Sequence, residues 1–208
     1  MGDAASWFFL VLGLIGGVGL SVVFWWTTNH FLVPDLQFSL EVSRSRAGFI
    51  KSGIRHQIAV KNCGKRDAYN VKYRVRLKIT DILQNGGKIA DFVEVAVSSN
   101  EFFILGKGAM FRVTPMVSLS EGFDRDLFSD NIRNKFRDGV LTLDDLFEEY
   151  NEIKIFLEVI GTDRFSGGAK YYRSKEYSKH DIRTGVFKGS NHLSIHKQAR
   201  PSSRPDQK

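Results

Sequence analysis

Hydrophobic positions along this chain change their period once, near residue 36. Before that point they are continuous. From Trp7 to Trp26 (WFFLVLGLIGGVGLSVVFWW) there is no charge, one hydroxyl at Ser21, and twelve residues that are Leu, Ile, Val or Phe. A helix of about 20 residues rises about 30 Å, the thickness of a bilayer's hydrocarbon core. The twelve contribute on the order of −4 to −7 kcal/mol on the insertion scale, opposed by no ionised side chain. Trp7 at one end and Trp25-Trp26 at the other suit the two interfaces, where an indole buries its rings and keeps its N–H wet. The stretch reads as a transmembrane helix. It does not read as a cleaved export signal, because the leader 1–6 carries Asp3 without Lys or Arg, and Ser21 to Phe31 holds no A-x-A site.

After a connector (27–35) in which Pro34 stops any helix, the period becomes two. Leu36, Phe38, Leu40 and Val42 alternate with Gln37, Ser39 and Glu41, the pattern of a half-buried strand. SRSRAGFIKSG then reads as a loop. Ile54, Ile58 and Val60 mark a second strand, and Asn62 to Asp67 a turn in which Gly64 is free to take positive φ. The next strand has the clearest alternation: Val71, Tyr73, Val75, Leu77 and Ile79 on one face, Lys72, Arg74, Arg76 and Lys78 on the other. Gln84-Asn85-Gly86-Gly87 predicts a hairpin. Short strands follow at Ile89–Val97, Glu101–Leu105, Met110–Val117, Ile153–Ile160 and Ala169–Tyr177, with a hairpin tip at Phe165 to Gly168 and an extended piece over 181–187.

One region, about 124–150, breaks the β pattern. Leu127, Phe128, Ile132 and Phe136 have helical spacing, with Gly139 as the C-terminal stop. Thr142-x-x-Asp145 predicts a capping box for a second short helix. The fold class expected is therefore mainly β: a single N-terminal transmembrane helix followed by an immunoglobulin-like antiparallel β-sandwich over 36–188 with a short helical insertion. The polar, basic tail 189–208 is expected to be disordered.

Charge adds a preference for anionic neighbours, since the chain of 208 residues carries a net charge of +7. The lone Cys63 excludes an intrachain disulfide framework and fits a reducing compartment. No Lys or Arg precedes the apolar stretch, whereas Arg44 and Arg46 lie 18 and 20 residues after Trp26. The positive-inside rule then places the body in the cytoplasm as a single-pass protein of the cell membrane.

Two stretches resemble known families. Ile58 to Gly64 (IAVKNCG) with Ala68 to Val71 (AYNV) resembles the N-x-G turn and following strand of bacterial immunoglobulin-like modules of the CARDB adhesion type, which are usually extracellular. Phe156 to Phe187 is similar to the end of the cytoplasmic domain of inward-rectifier potassium channels, with Gly161, Tyr177, Asp181, Ile182 and Phe187 on that pattern. Together they cover about a fifth of the chain, and what they imply is an immunoglobulin-like sandwich. The chain has neither a second span nor a carbonyl-lined filter sequence, so the second resemblance implies an assembly or sensing domain rather than a pore.

Candidate chemistry is sparse. No catalytic, cofactor-binding or metal motif is present. His192 and His196 have i, i+4 spacing but no third ligand nearby. Asp144, Asp145, Glu148 and Glu149 read as the wet face of a short helix, and Ser166-Gly167-Gly168 lacks the Lys of a phosphate loop. A closed pocket around His56, His180 or Asp163 would favour an enzyme. The binding candidates are Gly13 and Gly17, a G-x-x-x-G stripe on which another helix packs closely, and Lys72, Arg74, Arg76 and Lys78, a cationic line about 20 Å long. That line suits anionic lipid headgroups or an acidic protein partner. It lacks interleaved aromatics to stack bases, which speaks against nucleic acid. The reading is a non-enzymatic binding or assembly module in the lipid bilayer, working with a protein partner or as a homo-oligomer. The alternatives are an exported adhesion-type module and an accessory domain of a channel or transporter.

Overall fold

The computed structural model describes residues 3–31, 34–48, 50–82, 88–99, 101–124, 128–164, 167–187 and 193–196. It is mainly β, preceded by an apolar helix. That helix, α1, runs from Asp3 to Phe31, so most of the expected connector 27–35 is helical. Its window Trp7–Thr27 has a mean hydropathy of 2.3, and none of it is buried against the rest of the chain. By length and composition it is long and apolar enough to cross a membrane. Its two hydroxyls in that window bond within the helix, Ser21 Oγ donating to the Gly17 carbonyl at 2.8 Å and Thr27 Oγ1 to the Val23 carbonyl at 2.6 Å.

The strands are β1 (Leu36–Phe38), β2 (Val42–Arg46), β3 (Ile54–Asn62), β4 (Ala68–Ile82), β5 (Lys88–Val95), β6 (Glu101–Leu105), β7 (Met110–Val113), β8 (Ile153–Thr162), β9 (Ala169–Arg173), β10 (Ile182–Thr184), β11 (Val186–Phe187) and β12 (Ile195–His196). Helices α2 (Asp130–Arg137) and α3 (Leu143–Glu149) lie between β7 and β8. In one five-stranded sheet β3 pairs antiparallel with β1, β2 and β7, and β10 runs parallel to β2. In the other, β4 pairs with β8 along almost its whole length, with β5 and β6 on its opposite side and β9 beyond β8.

Both sheets and both short helices feed one buried apolar cluster. Val71, Tyr73, Val75, Leu77 and Ile79 of β4 all point into it, as their alternation requires. Tyr73 meets Phe111 of the other sheet with ring centroids 5.2 Å apart, a favourable aromatic separation. Tyr177 is fully buried, donates its hydroxyl to the Ser39 carbonyl at 2.6 Å, and has a phenol pKa pushed up to about 12 by burial.

Several expectations are corrected. The alternation of residues 36–42 is interrupted at Ser39, which replaces a simple ladder with two bonds to Ala59, one through its hydroxyl. Leu40 is consequently exposed, and Ser43 to Arg46, expected in a loop, form β2 instead. Gly64 does not take positive φ. It is required for space, because a Cβ there would lie 2.4 Å from the Asp35 nitrogen. The first short helix begins only at Asp130, capped by Ser129, whose side chain accepts from the Ile132 N–H. Gly139 ends it with φ +69. The Thr142–Asp145 capping box forms as expected. Ala169–Tyr177 is shorter than expected, ending as a strand at Arg173. In the tail, Ile195–His196 pairs with Val186–Phe187. The hairpin tip Gln84 to Gly87, Leu127, Phe165, Ser166, and the tail residues 189–192 (His192 among them) and 197–208 lie outside the described residues.

Candidate functional site

The cationic line of β4 forms one face of the sheet it shares with β5, β8 and β9, but it is not bare. In register Arg74 stands opposite Glu158, and Arg76 opposite Phe156 on β8 and Glu94 on β5. Glu158 is only 7% exposed. Arg74 Nε donates to its Oε2, Arg76 Nε lies 3.6 Å from the same oxygen, and the Tyr171 hydroxyl donates to Oε1 at 2.6 Å. Burial pushes the Glu158 carboxyl up, but the Tyr171 hydrogen bond and the two guanidinium groups outweigh it and hold it below the usual range. Tyr171 is shifted upward, by burial and then by Glu158, and stays a hydroxyl donor.

The next row is organised in the same way around Glu176. Lys78 and Lys154 lie 3.2 and 3.4 Å from its carboxylate oxygens, and Arg173 at 3.1 Å. Arg173 also covers the buried Phe156 ring, 4.0 Å from its centroid, while Phe92 meets that ring edge-on at 6.1 Å. The line of four cations expected from sequence is therefore a network of mixed charge in which Arg74, Arg76 and Lys78 each face a carboxylate. Lys72 stands in register with Glu101 of β6 and Ile160 of β8. Beside it opens a cleft of about 630 Å³, lined by Lys72, Arg74, Glu94, Glu101, Glu158 and Tyr171 among others. Its fixed donors and acceptors alternate in sign, which suits a polar protein surface better than a row of phosphates.

A second constellation joins residues far apart in sequence. β2 and β3 set Arg44 opposite His56, and the capping box of α3 fixes Asp144 in that helix's first turn. His56 Nε2 lies 3.1 Å from Asp144 Oδ1, and Arg44 Nε donates to Oδ2 at 2.6 Å. Burial raises the Asp144 pKa, but His56 and Arg44 outweigh it and leave the carboxyl below its usual range. His56 also lines a largely apolar cleft of about 380 Å³ with Ile54, Met116, Leu119 and Leu141 among others. Its Nε2 is committed to Asp144, and the Thr142 hydroxyl donates to Asp145 at 2.6 Å. The trio locks α3 onto β3 without assembling a nucleophile and its base.

The remaining candidates are scattered. Asp163 is buried, 3.9 Å from Arg66. His180 sits in a 3₁₀ turn capped by Ser178 and Asp181. Cys63 is exposed. Asp145 accepts from Lys135 at 2.6 Å and Glu149 from Asn131 at 3.1 Å, so with Asp144 three of the four helix carboxylates have structural partners. Among the described residues no group of three or more His, Cys, Asp or Glu is arranged to hold a metal. Along α1, a Cβ added at Gly13 or Gly17 would meet nothing within 4 Å.

Sequence missed Glu158 and the Arg44–His56–Asp144 trio, because their partners are 84 to 100 residues apart. The one available signal was Glu158 itself, a carboxylate within a run that is otherwise apolar, FLEVIG.

No protein-family model matches the chain, and no curated protein matches it. Among solved structures, the sporulation control protein Spo0M from Bacillus subtilis aligns at a TM-score of 0.30 and 7% identity, over 74% of this chain and 49% of that one. The chain thus spans about half the length of that neighbour, and a likeness this distant carries no argument.

Proposed function

We propose that the chain is a single-pass, membrane-anchored binding module, an immunoglobulin-like sandwich held at the cytoplasmic face of the cell membrane as a subunit or adaptor of a membrane complex. The observation that carries it is α1: its apolar window is wholly exposed, although the body has a core of its own. In water such a surface is a large penalty, and lipid removes it. The internally bonded hydroxyls of Ser21 and Thr27 fit the same environment, which supplies no water to satisfy them. The body contributes binding rather than chemistry. Its most organised polar surface, around Glu158 and Glu176, is a set of fixed charges suited to a protein partner.

The test is purification of the full chain from native membranes in mild detergent, followed by identification of what co-purifies. A stoichiometric membrane protein supports an adaptor or subunit; if that protein is a channel or transporter, the accessory-domain reading gains. Recovery as a lone monomer contradicts the proposal. Protease added to sealed right-side-out and inside-out vesicles tests topology. Digestion of the body only in inside-out vesicles is expected; digestion only from the outside gives the exported adhesion-type module.

A further inference from the structure

The chain enters its β body at one particular end, and that end has a distinct surface. Residue 34 follows the last helical residue, Phe31, by three positions, a covalent reach of at most about 10 Å. At that entry the Tyr172 hydroxyl donates to the Pro34 carbonyl, and the N–H groups of Cys63 and Gly64 donate to the Asp35 carbonyl at 2.7 and 3.2 Å. The entry point is therefore fastened to the turn between β3 and β4. The register puts three loops there: Leu36 pairs with Asn62, Ala68 with Leu105, and Thr162 with both Tyr69 and Ala169.

Asn62, fully buried, binds two of these loops together. Its Nδ2 donates to the Arg66 and Leu105 carbonyls at 2.7 and 3.1 Å, its Oδ1 accepts from the Gly64 N–H at 3.0 Å, and its carbonyl accepts from Gly108 at 2.8 Å. The rigid rim so formed carries Lys65, Arg66, Lys107 and Arg164 around a cleft of about 580 Å³, against the carboxylates Asp67 and Asp163. Asp163 is buried and Asp67 accepts the Lys107 N–H at 2.7 Å, and four cations against two carboxylates leave the rim cationic on balance. Beside it, on the neighbouring hollow that also includes Arg164, Phe103 is 75% and Ile104 47% exposed.

We propose that this rim docks on the anionic phospholipid surface of the bilayer that holds α1: the cations meet headgroup phosphates, and Phe103 and Ile104 enter the interface. The inference rests on the reading of α1 as a membrane span. What selects lipid as the occupant is position, since the short tether joins the body at this end. Each cation near an anionic surface contributes about 1 kcal/mol, or about 5-fold in the docked-to-undocked ratio. Docking fixes the orientation of the sheet and presents the Glu158 surface laterally to a partner.

The lone Cys63 lies exposed on this rim, which permits a direct measurement. Full-length chain labelled there with a fluorophore is incorporated into nanodiscs of phosphatidylcholine alone or with phosphatidylserine, each with a headgroup-region nitroxide lipid. Incorporation is scored separately by co-elution with the discs. Quenching that rises with phosphatidylserine, falls in high salt, and is lost in a Lys65→Glu/Lys107→Glu/Arg164→Glu variant that incorporates normally is the expected result. Arg66 is left intact there because it faces the buried Asp163. Equal quenching in both disc types, with normal incorporation, overturns the docking and leaves the span standing. Failure to enter phosphatidylcholine discs overturns both.

Discussion

The hydroxyl of Tyr172 donates to the carbonyl of Pro34, joining β9 to the first residue described after α1. Both residues are buried at this junction, so the start of the β body is clamped in place by a side chain 138 residues away. Burial, with Asp35 adding to it, keeps Tyr172 a phenol. Tyr172→Phe leaves a buried acceptor unsatisfied and is expected to cost about 1–3 kcal/mol. Hydrogen exchange at Leu36 and Cys63 should accelerate, and unchanged protection there would contradict the clamp.

Gly64 makes the same junction by absence. Gly64→Ala places a Cβ 2.4 Å from the Asp35 nitrogen, against backbone that cannot swing aside, and should cost about 1–3 kcal/mol. Gly48→Ala, where a Cβ meets nothing within 4 Å, is the control and should melt as wild type does. Equal melting of both variants would remove the close-approach argument.

Acid should weaken the body through Glu158, Glu176 and Asp144, each held below its usual value after burial and its cationic or hydrogen-bonding partners are set against one another. A carboxyl depressed in the folded state contributes stability above its unfolded value, 4.5 for Glu and 3.8 for Asp, and loses it as pH falls through the folded value. Melting temperature should therefore be level from neutral pH to about 5.5 and fall below about 4.5. Glu158→Gln should lower it at neutral pH and flatten the acid fall. A variant with an unaltered acid profile would remove Glu158 from that account.

How much of this was legible depended on whether a residue's partner lay near in sequence. The β4 alternation and the Thr142–Asp145 box were readable because their determinants are local: side chains two apart share a face, and three apart share a helix turn. Leu40 misled because the Ser39–Ala59 bonds end the alternation, and nothing local marks that. The stripe on β4 was placed on the right face but misjudged in character, since Glu158 and Glu176 arrive from strand pairing and a return of the chain after β9. Gly64 was recognised as special for the wrong reason, because the backbone that crowds it is 29 positions upstream.

In α1, Gly13 and Gly17 have open space around them, so larger side chains there will not disturb the monomer. If this surface packs helix against helix, Gly17→Ile should lower the cross-linked dimer fraction in mild detergent several-fold, the effect of about 1–2 kcal/mol. An unchanged distribution would assign any self-association to the body.

The central claim, that α1 holds this protein in a bilayer, is most directly tested by washing native membranes with alkaline carbonate and following the full-length chain. Retention in the pellet, with release only by detergent, is the result predicted. Recovery of the intact chain in the carbonate supernatant, as a soluble species without detergent, would contradict it.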